Sequence, residues 1–163
     1  MDRQGPRRAL GLFSGFGHWA AAMRKQGWEV TEYDIANCAR QDLLDDGEFL
    51  ELMGDIVEGK FRVVHVATDC TTWSLARQPP LRGSGARLWG LPGLCEKDAK
   101  AVREANELVR RSVVLCGVLV SFENLKGSRL RKHPGIVQVI ADGGLFLTES
   151  HYCFWGCPWK KPT

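Results

Sequence analysis

No stretch of this chain approaches the roughly 18 apolar residues of a membrane span. Its first residues, Met1 to Arg8, are polar and basic, with no signal-type cleavage site after them. An intracellular protein, cytoplasmic or nuclear, with no membrane partner is expected. CxxC pairs are missing too. The 6 cysteines (Cys38, Cys70, Cys95, Cys116, Cys153 and Cys157) stand singly, so reduced thiols are expected rather than a disulfide framework. His151, Cys153 and Cys157 lie close in sequence, but a structural zinc site takes four ligands and a fourth is wanting, so no metal is expected. An excess of one charge is lacking as well. The 22 Lys and Arg against 19 Asp and Glu leave a formal +3, which permits a nucleic-acid partner without requiring one. Basic residues do gather, at Arg7–Arg8, at Arg129, Arg131 and Lys132, and at Lys160–Lys161. Internal repeats and low-complexity segments are absent. A hydrophobic share of 44% and a charged share of 25% are those of an ordinary globular protein, and a single domain over residues 1–163 is expected.

What is present reads as an α/β domain. Arg8 to Phe13 is a short apolar run ending in Ser14-Gly-Phe-Gly17, and an Ala-rich helical stretch, Trp19 to Gln26, follows at once. Gly27 suits the left-handed position that closes a helix, and Trp28 to Tyr33 then alternates like a second strand ending at Asp34. A third strand is expected to end at Asp42–Leu43. Asp45 to Glu58 reads as an acidic helix. Phe61 to Ala67 reads as a buried parallel strand that delivers Asp69-Cys-Thr-Thr-Trp-Ser74 at its carboxyl end, where parallel sheets hold their ligands. Residues 78–94, rich in Pro, Gly and Arg, predict a long loop of the functional kind. A helix over Glu96–Arg111, a strand over Val113–Phe122 ending at Glu123-Asn124, a helix over His133–Asp142 and a last strand over Leu145–Trp155 complete the reading. The expected fold is Rossmann-like, a mostly parallel sheet with helices on both faces.

Several residues stand where chemistry is possible. Gly15 and Gly17 leave a strand-to-helix turn without side chains, so that backbone can approach a ligand. A dinucleotide fingerprint needs a third glycine; Trp19–Ala20 occupies its place, which disfavours a nicotinamide site. Asp34 stands where a carboxylate accepts both hydroxyls of a nucleoside ribose, with Ile35 placed to cover an adenine face; Glu32 competes for that role and ranks below it. Asp42, with Leu43, is placed to take an adenine amino group. Cys70 is a thiol at a strand end beside a glycine-loop fold, the place of a nucleophile, although most single cysteines merely pack. Trp73 reads as core or pocket wall.

Taken in order, Leu12-Phe-Ser-Gly-Phe-Gly17, Asp69-Cys-Thr-Thr-Trp-Ser74 with Ala76-Arg77, and Phe122-Glu-Asn-Leu125 resemble the motifs of the cytosine carbon-5 DNA methyltransferase family. The chain looks most like compact phage-like members, which share a CTTWS-type segment, a GLP loop such as Gly90-Leu-Pro92, a helix with an Asn such as Asn106, and an ending like Pro158-Trp-Lys-Lys-Pro-Thr163. The resemblance spans about Arg8 to Thr163. It implies a methyltransferase fold binding S-adenosylmethionine through Phe13, Ser14, Gly15, Phe16, Gly17, Asp34, Ile35, Asp42 and Leu43. It implies further that the Cys70 thiolate adds to carbon 6 of a cytosine in DNA, flipped out or single-stranded. Glu123 would act on ring nitrogen 3 and Asn124 would position that carboxyl. An Asn there also caps helices, which is the plainer reading of the Glu123-Asn124 turn. Arg77, Arg82, Lys160 and Lys161 are the candidate phosphate contacts, and Arg87 shares their loop; a charged surface loop is the alternative.

Two departures from the family bear on function. Asp69 stands where the family has proline, and a carboxylate next to a thiol disfavours the thiolate unless its side chain points away. The family's target-recognition region and closing segment would follow Thr163, so a protein partner supplying target recognition, and an incomplete sheet with an exposed edge, are expected. The rival reading is a binding module or remnant in which the nucleoside pocket persists without methyl transfer.

Overall fold

Arg8–Leu12 (β1) is buried at every position after its first. A strand buried on both faces must be flanked on both sides, and β1 is: it pairs in parallel with Glu29–Tyr33 (β2) and with Val63–Val66 (β3). Val120–Phe122 (β4) pairs in parallel with β3, giving a 4-stranded sheet in the order β2-β1-β3-β4. The computed structural model describes residues 5–114, 120–124, 127–143 and 148. Those residues divide into two compact units, one made of residues 1–67 and 114–122, the other of 68–113 and 123–163.

The first unit holds the whole sheet. Two helices join its strands, His18–Lys25 (α1) and Asp46–Val57 (α2). Both stop by the same device. Gly27, at φ 80°, donates to the Arg24 carbonyl while Trp28 donates to Met23; Gly59, at φ 74°, donates to Ile56 while Lys60 donates to Asp55. Each is a Schellman closure, which needs the left-handed residue that glycine supplies without strain. Asp45 starts α2, its carboxylate accepting from Glu48 N at 3.0 Å. Ala9, Leu10, Leu12, Val64 and Val66 from the sheet and Ala20, Leu52 and Ile56 from the helices are buried. All-parallel strands joined by helices make this an α/β fold, and the strand order fits the Rossmann-like class. The chain passes from β1 outward to β2, then back across β1 to β3, so the switch point lies between β1 and β3.

The expected third strand over Asp42–Leu43 does not form. Residues 34–44 run in turns: the Asp42 carboxylate accepts from Leu44 N at 2.9 Å and its carbonyl from Asp45 N, while Leu43 is buried. The physical reason lies on the β2 edge. Gln41 Oε1 accepts from Asp34 N at 3.0 Å, and Gln41 Nε2 donates to the Glu32 carbonyl at 3.2 Å, so one side-chain amide occupies edge groups that a neighbouring strand would have bonded. Arg24 Nη2 takes the Val30 carbonyl at 2.9 Å. The edge is thereby blunted.

His65 on β3 stacks on Trp19, ring centroids 4.5 Å apart, and its Nδ1 lies 2.8 Å from Ser121 Oγ. Gly11 on β1 leaves room for that indole, since a Cβ there would lie 3.4 Å from it. Burial disfavours the imidazolium and lowers the His65 pKa to about 4. The unfolded chain, titrating near 6.5, therefore binds the extra proton first. Stability is whole above about pH 6.5 and declines as pH falls toward about 4, by no more than about 3 kcal/mol from this group. Urea unfolding across that range is expected to show a shallower decline for His65→Gln; an unchanged pH profile would contradict it.

In the second unit, Glu96–Val114 (α3), except for its last residue, packs Val109 with Trp73, Leu88 and Leu130. The helix expected over Glu96–Arg111 runs on to Val114, and of the strand expected over Val113–Phe122 the described residues form β4 alone. The long loop contains a 3-10 helix, Gly85–Trp89. A second 3-10 helix, Arg129–Lys132, precedes Pro134–Ala141 (α4), whose first turn is capped by His133 Nδ1 accepting from Gly135 N at 3.1 Å. The strand expected over Leu145–Trp155 falls outside the described residues, apart from Thr148. No described helix is long and apolar enough to cross a membrane.

Candidate active site

Candidate residues fall into two groups, one in each unit. In the first unit, β1 runs into Phe13, a non-glycine residue at φ 57°, followed by Gly15 at φ 50° and Gly17 at φ 69°. Holding Phe13 in that region costs on the order of 1 kcal/mol or more, a strain that clusters at ligand sites. Its N–H donates to the Tyr33 carbonyl at 2.9 Å, which joins the loop to the end of β2. The two glycines serve different needs. A Cβ on Gly17 would lie 2.5 Å from Glu32 Oε1, whereas a Cβ on Gly15 would meet nothing within 4 Å. Gly17 needs its left-handed backbone, and a side chain there would also have to displace the Glu32 carboxylate. Gly15 presents bare backbone to open space.

The Asp34 carboxylate organises the loop. One oxygen accepts from Gly15 N at 2.9 Å, the other from Ala36 N at 2.8 Å. A carboxylate has about four lone-pair sites, so about two remain for further donors. Asn37 Nδ2 donates to Ser14 Oγ at 3.3 Å and completes the turn. Glu32, the competitor, is engaged with Arg24 at 2.7 Å. Two large apolar side chains stand out beside Asp34 and Gly15, Phe16 at 96% and Ile35 at 56% exposure. Asp42 and Leu43 do not join them as expected, being committed to the turn and the core described above.

In the second unit, Cys70 is half-buried and its carbonyl accepts from both Trp73 N and Ser74 N, so it begins a tight helical turn. Asp69 is turned to the same feature: its Oδ1 accepts from Thr71 N at 3.0 Å and from Thr71 Oγ1 at 2.5 Å. The Asp69 carboxylate thus has local donors of its own. Strands β3 and β4 end side by side, Val66 opposite Phe122. Immediately beyond them, Asn124 Nδ2 donates to the Thr68 carbonyl at 3.1 Å, joining the Glu123-Asn124 turn to the segment that leads to Cys70. Thr68 Oγ1 and Asn124 Oδ1 are buried with no hydrogen-bond partner among the described residues. The sequence reading missed the Thr68 tie, because a backbone carbonyl has no signature in a motif.

Of the loop arginines, Arg87 is exposed and Arg82 is buried. Arg82 is 1% exposed and lies over the Trp73 ring, its guanidinium carbon 3.5 Å from the centroid. It donates to the carbonyls of Thr72, Leu88 and Val102, to Thr72 Oγ1, and to Asn106 Oδ1 at 2.6 Å. Burial, with Arg129 nearby, pulls its pKa down to about 10, so it stays charged at neutral pH. A side chain so enclosed holds the loop and is corrected from phosphate contact to structural residue. Arg77 is paired with Asp98 at 3.1 Å. Lys160 and Lys161, like His151, Cys153 and Cys157, lie outside the described residues. Among the described residues no cluster of three or more His, Cys, Asp or Glu converges on a metal position, and Cys38, Cys70 and Cys95 are in no disulfide. Compared with models of known protein families and with curated proteins, the chain matches none of them.

Proposed function

We propose that the chain is a cytosine carbon-5 methyltransferase acting on DNA, with S-adenosylmethionine as methyl donor and Cys70 as nucleophile. The observation that carries the proposal is the Asn124–Thr68 hydrogen bond, which ties the Glu123-Asn124 turn to the segment that leads into Cys70. The glycine loop is the second support. Its residues fit a nucleoside: Gly15 offers open backbone, Asp34 retains acceptor sites for two ribose hydroxyls, and Phe16 and Ile35 expose apolar surface of the kind an adenine face buries.

When bound, S-adenosylmethionine supplies an electrophilic methyl group. The chain's own residues do the rest. Cys70 thiolate forms a bond to carbon 6 of the cytosine, and the electron pair of the 5,6 double bond moves toward carbon 5. Glu123 donates a hydrogen bond or proton to ring nitrogen 3, offsetting the charge that addition pushes into the ring. Asn124 holds the Glu123 turn in register with Cys70. Once carbon 5 carries the methyl group, water takes the proton from carbon 5, the C–H pair re-forms the 5,6 double bond, and the C6–S bond breaks to return the Cys70 thiolate. A base stacked in a duplex is out of reach, so the cytosine is flipped or unpaired.

Calorimetric titration of the full chain with S-adenosylhomocysteine tests the cofactor half. Saturable binding is expected, weakened by about tenfold or more in Asp34→Ala, which removes two charge-assisted acceptors. Trapping with DNA containing 5-fluorocytosine tests the other half, a covalent adduct at Cys70 being expected. A folded chain that neither binds the nucleoside nor forms the adduct would overturn the proposal.

A further inference from the structure

Arg82 is enclosed and Arg77 is paired with Asp98, which leaves open which cations of the second unit face a polyanion. Charge is unevenly divided. The second unit holds 14 Lys and Arg against 8 Asp and Glu, a formal +6, and the first holds 8 against 11, a formal −3, together the chain's +3. Much of the second unit's positive charge is already answered. On α3, Arg103 pairs with Glu96, Lys100 with Glu104, and Arg110 and Arg111 with Glu107. The 3-10 helix Arg129–Lys132 differs: Arg129, Arg131 and Lys132 have no carboxylate partner among the described residues, and Arg131 and Lys132 are exposed.

This basic helix is fastened to the Cys70 turn. Ser128 bridges Ser74 in antiparallel fashion, with Leu75 N donating to the Gly127 carbonyl at 3.1 Å and Arg129 N to the Trp73 carbonyl at 2.9 Å. Leu130 anchors it from beneath in the core with Trp73, and Ser128 Oγ caps it by accepting from Leu130 N. The cations therefore stand on a rigid element, bonded directly to the turn that Cys70 begins. We propose that Arg131 and Lys132, backed by Arg129, are a phosphate-binding element that seats the DNA backbone beside Cys70. The choice of DNA rests on the function proposed above. Rigid cations lose less entropy on binding than cations of a mobile arm, and the buried, charged Arg82 under the same Trp73 adds positive potential without touching the ligand.

The test is a fluorescence-anisotropy titration of a labelled DNA duplex with the full chain, without cofactor, between about 50 and about 200 mM salt. Three proteins are compared: the parent, Arg131→Gln with Lys132→Gln, and a control, Lys97→Gln with Lys100→Gln, which removes the same charge from α3. Each phosphate contact contributes about 0.9 to the slope of log affinity against log salt, so the first variant is expected to lose about 1.8 from the slope. The parent then loses about tenfold more affinity than that variant over the range. The control keeps the parent slope. Equal slopes in the two variants, or no duplex binding by the parent at the lower salt, would overturn the inference. Its failure is distinct from failure of the methylation reading. A chain that shows the slope change yet binds no S-adenosylhomocysteine retains the phosphate element and loses the chemistry.

Discussion

Arg82→Met is expected to destabilise the second unit by about 3 kcal/mol. Two effects oppose each other. Removing a buried cation that no described carboxylate pairs with relieves its desolvation, which favours the variant. Against that, the carbonyls of Thr72 and Leu88, together with Asn106 Oδ1, lose the donor that satisfies them. Each buried acceptor left bare costs about 1–3 kcal/mol, and the cation–π contact with Trp73 is lost besides. Several orphaned acceptors outweigh one relieved charge. Arg82→Lys is not conservative, since an ammonium with three donors cannot reach partners spread over Thr72, Leu88, Val102 and Asn106. Amide hydrogen exchange reads the result locally: α3 is expected to exchange about 100-fold faster, with β1 unaffected. Unchanged α3 protection in both variants would show that Arg82 does not hold the unit.

Asn124→Asp carries the largest expected effect on chemistry. The substitution keeps the side chain's size but removes the Nδ2 donor that takes the Thr68 carbonyl. It also sets a carboxylate against a carbonyl oxygen. A misplacement of about 1 Å between reacting groups costs about a hundredfold in rate. Adduct formation with 5-fluorocytosine DNA is therefore expected to slow by about a hundredfold or more, in Asn124→Asp and in Asn124→Ala alike, while S-adenosylhomocysteine affinity stays at the parent value. If both variants formed adduct at the parent rate, Asn124 would be a turn residue only.

The sequence by itself determined the elements whose cause is local. The run Arg8–Leu12, the glycine turn, the closure at Gly27 and the acidic helix expected over Asp45–Glu58 follow from residue types and short spacings, and each stands within a residue or two of its expected place. The place of Asp34 directly after the second strand was legible as well. Only the tertiary structure decided the rest. Gln41 displaced the expected third strand by folding its amide onto the β2 edge, a contact that depends on the turn between them. Arg82 looked like a loop cation because its five acceptor atoms are scattered from Thr72 to Asn106 and only packing gathers them. The Arg129–Lys132 cluster was visible as charge, but its seat on the Cys70 turn comes from the Ser74–Ser128 bridge, between residues far apart in the chain. Periodicity and turn chemistry act over a few residues and can be read along the sequence. Burial and long-range hydrogen bonds depend on what the rest of the chain brings alongside.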